Sequence, residues 1–270
     1  MQVKVNQSFN RLDKFLFQYF ESIPLSLIQR LIRQYKIKIN NKKSKANSDL
    51  KKGDIIFIYY NFEFNNQKNF TIKISEEFQK ILRKKIIYEN NDFIIINKVR
   101  GYSVQRGSKV RVSLKDYYES LLGHPLYIVH RLDKDTSGLM IFTKSRLAAS
   151  NISKLFLFNK IHKYYLAKTH KSFNKKSGIL ENVNNENKIL KLFYRKINSN
   201  HDEHFYLIKL LTGRKHQIRL QFFLNDNPII GDKKFSQDKN NNFSLSAISM
   251  HFYYLNKFYK FKLNLNQIEY

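Results

Sequence analysis

Apolar positions along the chain switch between two periods, and the switch divides it. Leu12, Phe15, Leu16 and Tyr19 recur at helical spacing, and so do Leu27, Ile28, Leu31 and Ile32 behind the start signals Pro24 and Ser26. Ile37 and Ile39 then alternate with Lys36, Lys38 and Asn40. Asn41 supplies a turn, and Gly53-Asp54 leads into the apolar run Ile55 to Tyr60. Residues 11–60 therefore read as a module of two short amphipathic helices and a hairpin. The polar stretch 61–85, with a helical pattern near Glu76 to Leu82, reads as a linker. From residue 86 the pattern is dominated by strands: Phe93 to Asn97, Leu139 to Thr143, Lys163 to Lys168, Ile189 to Tyr194, Phe205 to Leu211 and Phe258 to Leu263. Helical spacing returns at Arg146 to Phe158, behind Ser145 as a cap, and at Lys215 to Phe223, with Thr212 as candidate cap. Many strands and few helices predict an α+β catalytic-sized domain, residues 86–265, around a mainly antiparallel mixed sheet.

Composition adds a partner to this picture. Lys plus Arg number 49 against 21 Asp plus Glu, a net charge of +28. An A/T-rich genome inflates Lys and Asn, but it inflates Asp and Glu codons as readily, so codon bias does not explain the imbalance. A polyanion, nucleic acid first, is the expected partner. Twelve Lys or Arg against four Asp or Glu fall in the first 60 residues, with Arg30, Arg33, Lys36, Lys38, Lys42 and Lys43 bunched on the second helix and hairpin. The absence of cysteine excludes disulfides, thiolate metal sites and cysteine nucleophiles. His201 and His204 have the spacing of one helical face but sit in a polar stretch, so they read as solvated and no metal site is expected. The longest apolar runs are strand-sized, which predicts no membrane span, and the N-terminal residues carry no targeting pattern. A cytoplasmic location is the expectation.

Two segments carry candidate chemistry. An extended Val129 to Asp133 would place Arg131 and Asp133 on one face and His130 and Leu132 on the other. Thr136-Ser137-Gly138 then turns the chain into the strand Leu139 to Thr143, leaving Asp133 on a loop held by two strands. From spacing alone, a surface Arg–Asp pair is the favoured reading. Gly213-Arg214-Lys215-His216-Gln217-Ile218-Arg219 opens a helix and brings Arg214, Lys215 and Arg219 near its start, where a phosphate could dock. A solvated basic helix is the alternative there.

His130-Arg131-Leu132-Asp133-Lys134-Asp135-Thr136-Ser137-Gly138 resembles the His-Arg-Leu-Asp-x-x-Thr-Ser-Gly signature of the RluA-type pseudouridine synthases. The segment Gly213 to Arg219 matches their second signature, and Asn97-Lys98 with Gly101, Lys163-x-Tyr165-x-Ala167 and Asn227 to Asp232 agree as well. The chain departs at Lys98-Val99-Arg100-Gly101, where Lys-Pro-x-Gly is usual, at Lys215 for threonine, at Gln221 for histidine and at Asp226 for glycine. Residues 11–60 resemble the αL RNA-binding module named after a small-subunit ribosomal protein, through Arg11-Leu12-Asp13, Ile28 to Arg33 and Ile37 to Asn40; Gln34-Tyr35-Lys36 stands where a glycine usually follows the second helix.

The resemblance implies an isomerase that converts uridine to pseudouridine in RNA without cofactor. It implies Asp133 as catalytic nucleophile or base, Arg219 as its charge partner and Tyr165 against the uracil. Arg131 would fill the space left by a flipped base, with Ile218, His130 and Arg214 around the substrate and Arg30, Arg33 and Lys38 on RNA in the first module. The RluC-like branch fits best, with 23S rRNA or large-subunit precursor particles as partner; an RluD-like specificity, a non-catalytic assembly factor and a glycosidase using Asp133 with Asp135 are the alternatives.

Overall fold

The computed structural model describes residues 1–20, 23, 25–61, 72–107, 110–184, 186–199, 202–236 and 242–268. The chain divides into two compact units, residues 1–69 and 70–270. Pro24 and His201 lie outside the described residues.

In the first unit β1 (Gln2–Lys4) precedes α1 (Leu12–Tyr19), α2 (Leu25–Arg33), β2 (Ile37–Ile39), β3 (Lys42–Lys43) and β4 (Ile55–Ile58). The strands make a four-stranded sheet in the order β1-β4-β2-β3. Leu12, Leu16, Ile28, Leu31, Ile32, Ile37 and Ile56 are buried together, so the helical stripes and the hairpin share one core. Asp13, 1% exposed, accepts hydrogen bonds from Arg11 and Gln29 and so ties α1 to α2. After α2, Tyr35 adopts φ 57°, Tyr35 N–H donates to Ile32 O, and Lys36 N–H donates to Leu31 O. This is the left-handed helix stop that glycine serves best, built here with a tyrosine. β1 is an addition to the sequence expectation, from a segment too short to show a period.

The second unit opens with α3 (Glu76–Lys84), inside the stretch read as a linker. Ser75 caps it by accepting from Phe78 N–H, and Leu82 is buried in the main core, so this helix belongs to the body of the unit rather than to a spacer. Then come β5 (Ile86–Glu89), β6 (Phe93–Lys98), α4 (Leu114–Leu122), β7 (Tyr127–Ile128), β8 (Ser137–Thr143) and α5 (Arg146–Leu157). They are followed by β9 (His162–Thr169), β10 (Ser177–Val183), β11 (Ile189–Ser199), β12 (His204–Leu210), α6 (Gln217–Leu224), β13 (Leu245–Tyr254) and β14 (Lys257–Lys262). One ten-stranded sheet runs β10-β11-β12-β9-β13-β8-β6-β5, with β14 on β13 and β7 on β8. Among the described residues only the β13–β8 pair is parallel; the α+β reading and the mainly antiparallel mixed sheet hold. His204 starts β12 and is not on a helix. Ser145 caps α5 as expected, accepting from Ala148 N–H at 3.1 Å.

β6 and β8 are buried at every position because the sheet is covered on both faces there. Ile94, Ile96, Met140 and Phe142 enter one core cluster, and Phe93, Ile95, Leu139 and Ile141 the other, as strand alternation requires. No described helix is long and apolar enough to cross a membrane.

Gly138 ends the signature segment and begins the close approach of β8 to β13. Its φ is +106°, and a Cβ there would lie 2.6 Å from the amide nitrogen of Ala247. Gly138→Ala is expected to destabilise the second unit by more than ~1 kcal/mol, read as a lower urea midpoint with an unchanged m-value.

Candidate active site

Asp133 lies on the loop between β7 and β8, and that loop is held from below by a buried lysine. Lys98, fully buried at the end of β6, donates from Nζ to Lys134 O at 2.8 Å, Thr136 O at 2.8 Å and Val99 O at 3.0 Å. Three carbonyls compensate the buried ammonium and fix the backbone on either side of Asp135. Thr136 N–H closes the turn onto Asp133 O, and Ser137 Oγ and Ser246 Oγ lie 2.6 Å apart beneath it. Of the neighbours of Asp133 on this segment, Leu132 is buried and His130 half-buried. The Ile141 amide donates to His130 Nε2 at 3.0 Å and the imidazole stacks on Phe156. Burial, with Lys163 nearby, pushes the His130 pKa down to about 3, so the ring is neutral with its proton on Nδ1.

The Asp133 carboxylate emerges at a cavity of about 930 Å³, also lined by Arg131, Tyr165, Arg214, Ile218 and Arg219. Seven of the expected site residues, these five with Asp133 and His130, thus line one cavity. Tyr165 is 6% exposed; burial and the neighbouring Asp133 charge push its phenol pKa up, so it stays protonated at neutral pH. Ile218 gives the cavity an apolar side. Arg131 and Arg214 are exposed at its rim, and Lys215 lies beside them. Arg30, Arg33 and Lys38 belong to the other unit; Arg30 and Arg33 are exposed, and Lys38 Nζ sits 5.1 Å above the Tyr59 ring.

The charge partner of Asp133 is shared. Arg219, 6% exposed, is bound in two-toothed fashion by Asp232, Nε to Oδ2 at 2.8 Å and NH2 to Oδ1 at 2.6 Å, and reaches Asp133 Oδ2 only at 3.5 Å through NH1. Phe235 and Phe243 flank the guanidinium at 5.4 and 5.1 Å. The short bond to Asp133 comes from a residue not singled out above as a site residue: His216 Nδ1 lies 2.7 Å from Oδ2. An ionised carboxylate only accepts, so Nδ1 carries the proton, and the 3.3 Å approach of Arg219 NH1 to that nitrogen is proximity rather than a hydrogen bond. Burial pushes the Asp133 pKa up, but the His216 hydrogen bond and charge, together with Arg219, outweigh it and hold the carboxyl below its usual value.

Local backbone chemistry puts His216 there. Thr212 does not cap α6; its Oγ1 donates to Gln217 Oε1, which also accepts from Arg214 N–H. The helix starts at Gln217, and His216 takes φ 52° just before it, which turns the imidazole toward Asp133. The residue lies within the second signature, but the turn that aims it has no period to read. Of the departures, Lys215 is exposed, Asp226 has φ 53° where glycine is usual, and Gln221 is fully buried with Nε2 donating to Leu180 O and Leu190 O. Among the described residues no group of three His, Asp or Glu is placed to hold a metal ion.

The family model described as RNA pseudouridylate synthase matches residues 92–223, and the S4 domain model matches residues 10–56. The chain is 32% identical over 247 residues to the ribosomal large subunit pseudouridine synthase C of Rickettsia typhi, covering 83% of this chain and 82% of that protein. It is 31% identical over 285 residues to the protein of that name from Buchnera aphidicola subsp. Baizongia pistaciae, covering 96% and 89%. Human RNA Pseudouridylate Synthase Domain Containing 4 shares the fold, with a TM-score of 0.60 and 21% identity over 70% of this chain and 91% of that one.

Two substitutions test the charge arrangement. Asp232→Ala leaves the buried Arg219 without its near partner and is expected to cost about 3–5 kcal/mol, measured by urea denaturation. His216→Ala removes the short bond to Asp133 and should move the acid limb of the single-turnover rate to higher pH. The sign follows from the depressed Asp133 pKa: the ionised form is favoured in the fold above the ordinary carboxylate value and is lost only as pH falls through the lower folded value. An acid limb in the same place in both proteins would count against this pairing. With the signatures, the fold and relatives at this identity over most of both chains, the chain belongs to the RNA pseudouridine synthase family and carries an N-terminal S4 domain.

Proposed function

We propose that this enzyme isomerises uridines of large-subunit ribosomal RNA, with Asp133 as the catalytic residue. The carrying observation is the ionised Asp133 carboxylate at a cavity with Tyr165, His216 and Arg219 around it and Arg131 at its rim. Isomerisation breaks the bond between C1′ and N1 of uracil, turns the base and joins C1′ to C5. The C5 proton departs and N1 gains one, so composition is unchanged and no external redox partner is needed. Asp133 acts either by attacking the sugar or by removing a ribose proton, and both roles need the charge that His216 and Arg219 favour. Tyr165 presents its ring to the flipped base and, as a protonated phenol, a donor near the reacting atoms. For the sugar and base of a stacked uridine to reach Asp133 in the cavity, the base must leave its stack, at a cost of a few kcal/mol, and exposed Arg131 is placed to fill the gap. His130 supports this from behind: with Nε2 bonded to Ile141, it braces the loop rather than offering that nitrogen to RNA.

The substrate assignment rests on the names of the relatives and on the charge of the first unit, where Lys38, Lys43 and Lys36 stand over Tyr59, Tyr35 and Tyr60. Such cation and ring pairs suit phosphate and base contacts together. Its site of action is then the cytoplasm, on 23S rRNA or precursor particles of the large subunit, and the RluC-like branch is favoured over the RluD-like one.

Asp133→Asn is expected to lower the single-turnover rate by about 10²–10⁴-fold while leaving RNA affinity within a few-fold. Carbodiimide and primer-extension mapping of large-subunit rRNA, with and without the gene, should lose specific stops. Undiminished activity of the Asn variant would remove Asp133 from this role, and an unchanged map would move the substrate elsewhere.

A further inference from the structure

On β9 the catalytic cavity is lined by Lys163 and Tyr165 of one face and, at the strand's first residue, by His162 of the other. Alternation sends His162 and Tyr164 to the opposite face. Register there assembles a row from four strands: Lys209 of β12 lies opposite Tyr164, His162 opposite His251 of β13, His251 opposite Lys260 of β14, and Tyr253 opposite Phe258. Directly opposed residues share a face. The rings touch one another: His162 and His251 at 4.8 Å, Tyr164 and His251 stacked at 5.8 Å, His251 and Phe258 at 5.9 Å, Tyr253 and Phe258 at 5.0 Å. Tyr253 is 66% exposed and Phe258 47% exposed, which is unusual for two large rings side by side.

The face is also positive. Lys209, Lys260 and Lys262 interleave with the rings, and none of these strand positions is a carboxylate; Glu181, two strands beyond Lys209, is paired with Lys191 at 2.6 Å. Burial first, and then the charges of Lys209 and Lys160, lower the pKa of His162; burial, then His162, Lys209 and Lys260 do the same for His251. Both imidazoles thus report a cationic field. His162 and Lys209 also line the catalytic cavity, so the face continues from its edge.

We infer that this open sheet face is a second RNA-binding surface, which takes a single-stranded segment next to the one whose uridine enters the cavity. Exposed rings offer stacking to bases of any identity, and the lysines between them neutralise phosphates. A membrane-type or protein-type apolar contact fits less well, because the rings are interrupted by lysines with no carboxylate partner among the described residues. The inference rests on RNA being the substrate, but not on Asp133 being catalytic.

The test uses the full chain and a 4-thiouridine-containing oligouridylate of about 12 nucleotides. Photo-crosslinking should yield adducts on β13 and β14, around Tyr253 and Phe258. The variant Tyr253→Ser, Phe258→Ser, Lys260→Gln should bind the oligonucleotide at least about tenfold more weakly, while isomerising a short hairpin that carries only the target uridine at the wild-type rate. Lys260→Gln with Lys262→Gln keeps both rings. It should flatten the salt dependence of log Kd by about 1.4, from two phosphate contacts at about 0.7 each, so the inference does not hang on one variant's folding. Unchanged affinity and slope, or crosslinks confined to the cavity and the first unit, would overturn it. So would a wild-type dimer that the Ser variant dissociates, since the face would then belong to a second copy. Oligonucleotide binding that follows the face variants in a wild-type protein without isomerase activity would sink the proposed function and leave this surface standing.

Discussion

The Asp133 carboxylate proposed to do the chemistry depends on a buried guanidinium that is mostly committed to something else. Burying Arg219 carries a desolvation cost of several kcal/mol, and the near, two-toothed grip of Asp232 with Phe235 and Phe243 beside it offsets that cost. Asp133 receives the remainder, a single approach at 3.5 Å against 2.6 Å for the closest Asp232 bond. A carboxylate locked in a full bidentate pair would be stable and unreactive. One that feels the field without surrendering both oxygens to it stays charged and keeps a free oxygen for chemistry. His216 adjusts the same balance from the other side, using one donor on Oδ2 and leaving Oδ1 unengaged by these partners.

Much of the large-scale organisation could be read from period alone, because burial on one face writes itself into the chain. The helical stripes at Leu12 to Tyr19 and Leu27 to Ile32, and the strands beginning near Phe93, Lys163, Ile189 and Phe205, all appear where alternation placed them. The linker reading was less complete. The helical pattern near Glu76 to Leu82 was visible there, but not that α3 packs on the core, which it does chiefly through Leu82, with Phe78 half-buried beside it. β1 and β7 have three and two residues, too short for any period to show.

The site was legible in type and illegible in geometry. Asp133, Tyr165, Arg131 and Arg219 came from motifs, but their relation did not. Sequence suggests an Arg219–Asp133 pair; three dimensions insert Asp232 and His216 into it, because a φ of 52° at residue 216 and a turn after Gly231 bring together segments far apart in the chain. Lys98 was noted only as agreement with a family pattern. Its three carbonyl bonds show why a lysine belongs there: an ammonium can satisfy three acceptors converging from one loop, and the loop it ties is the one that presents Asp133.

Two of the departures from the family pattern obey one rule. Tyr35 and Asp226 both stand where glycine is usual, and both adopt positive φ, 57° and 53°. Non-glycine residues in that region carry strain of order 1 kcal/mol or more, so the backbone path has been kept at these turns although the residue suited to it has changed. Each replacement has a local contact in partial return: Lys43 stands 4.4 Å over the Tyr35 ring, and Lys171 pairs with Asp226 at 2.8 Å. Neither contact is buried enough to cancel the strain, since exposed pairs of this kind contribute well under ~1 kcal/mol. The fold tolerates them because both sit just past helix ends, and neither is one of the buried groups Lys98, Arg219 and Asp232 on which the placement and charge of Asp133 depend.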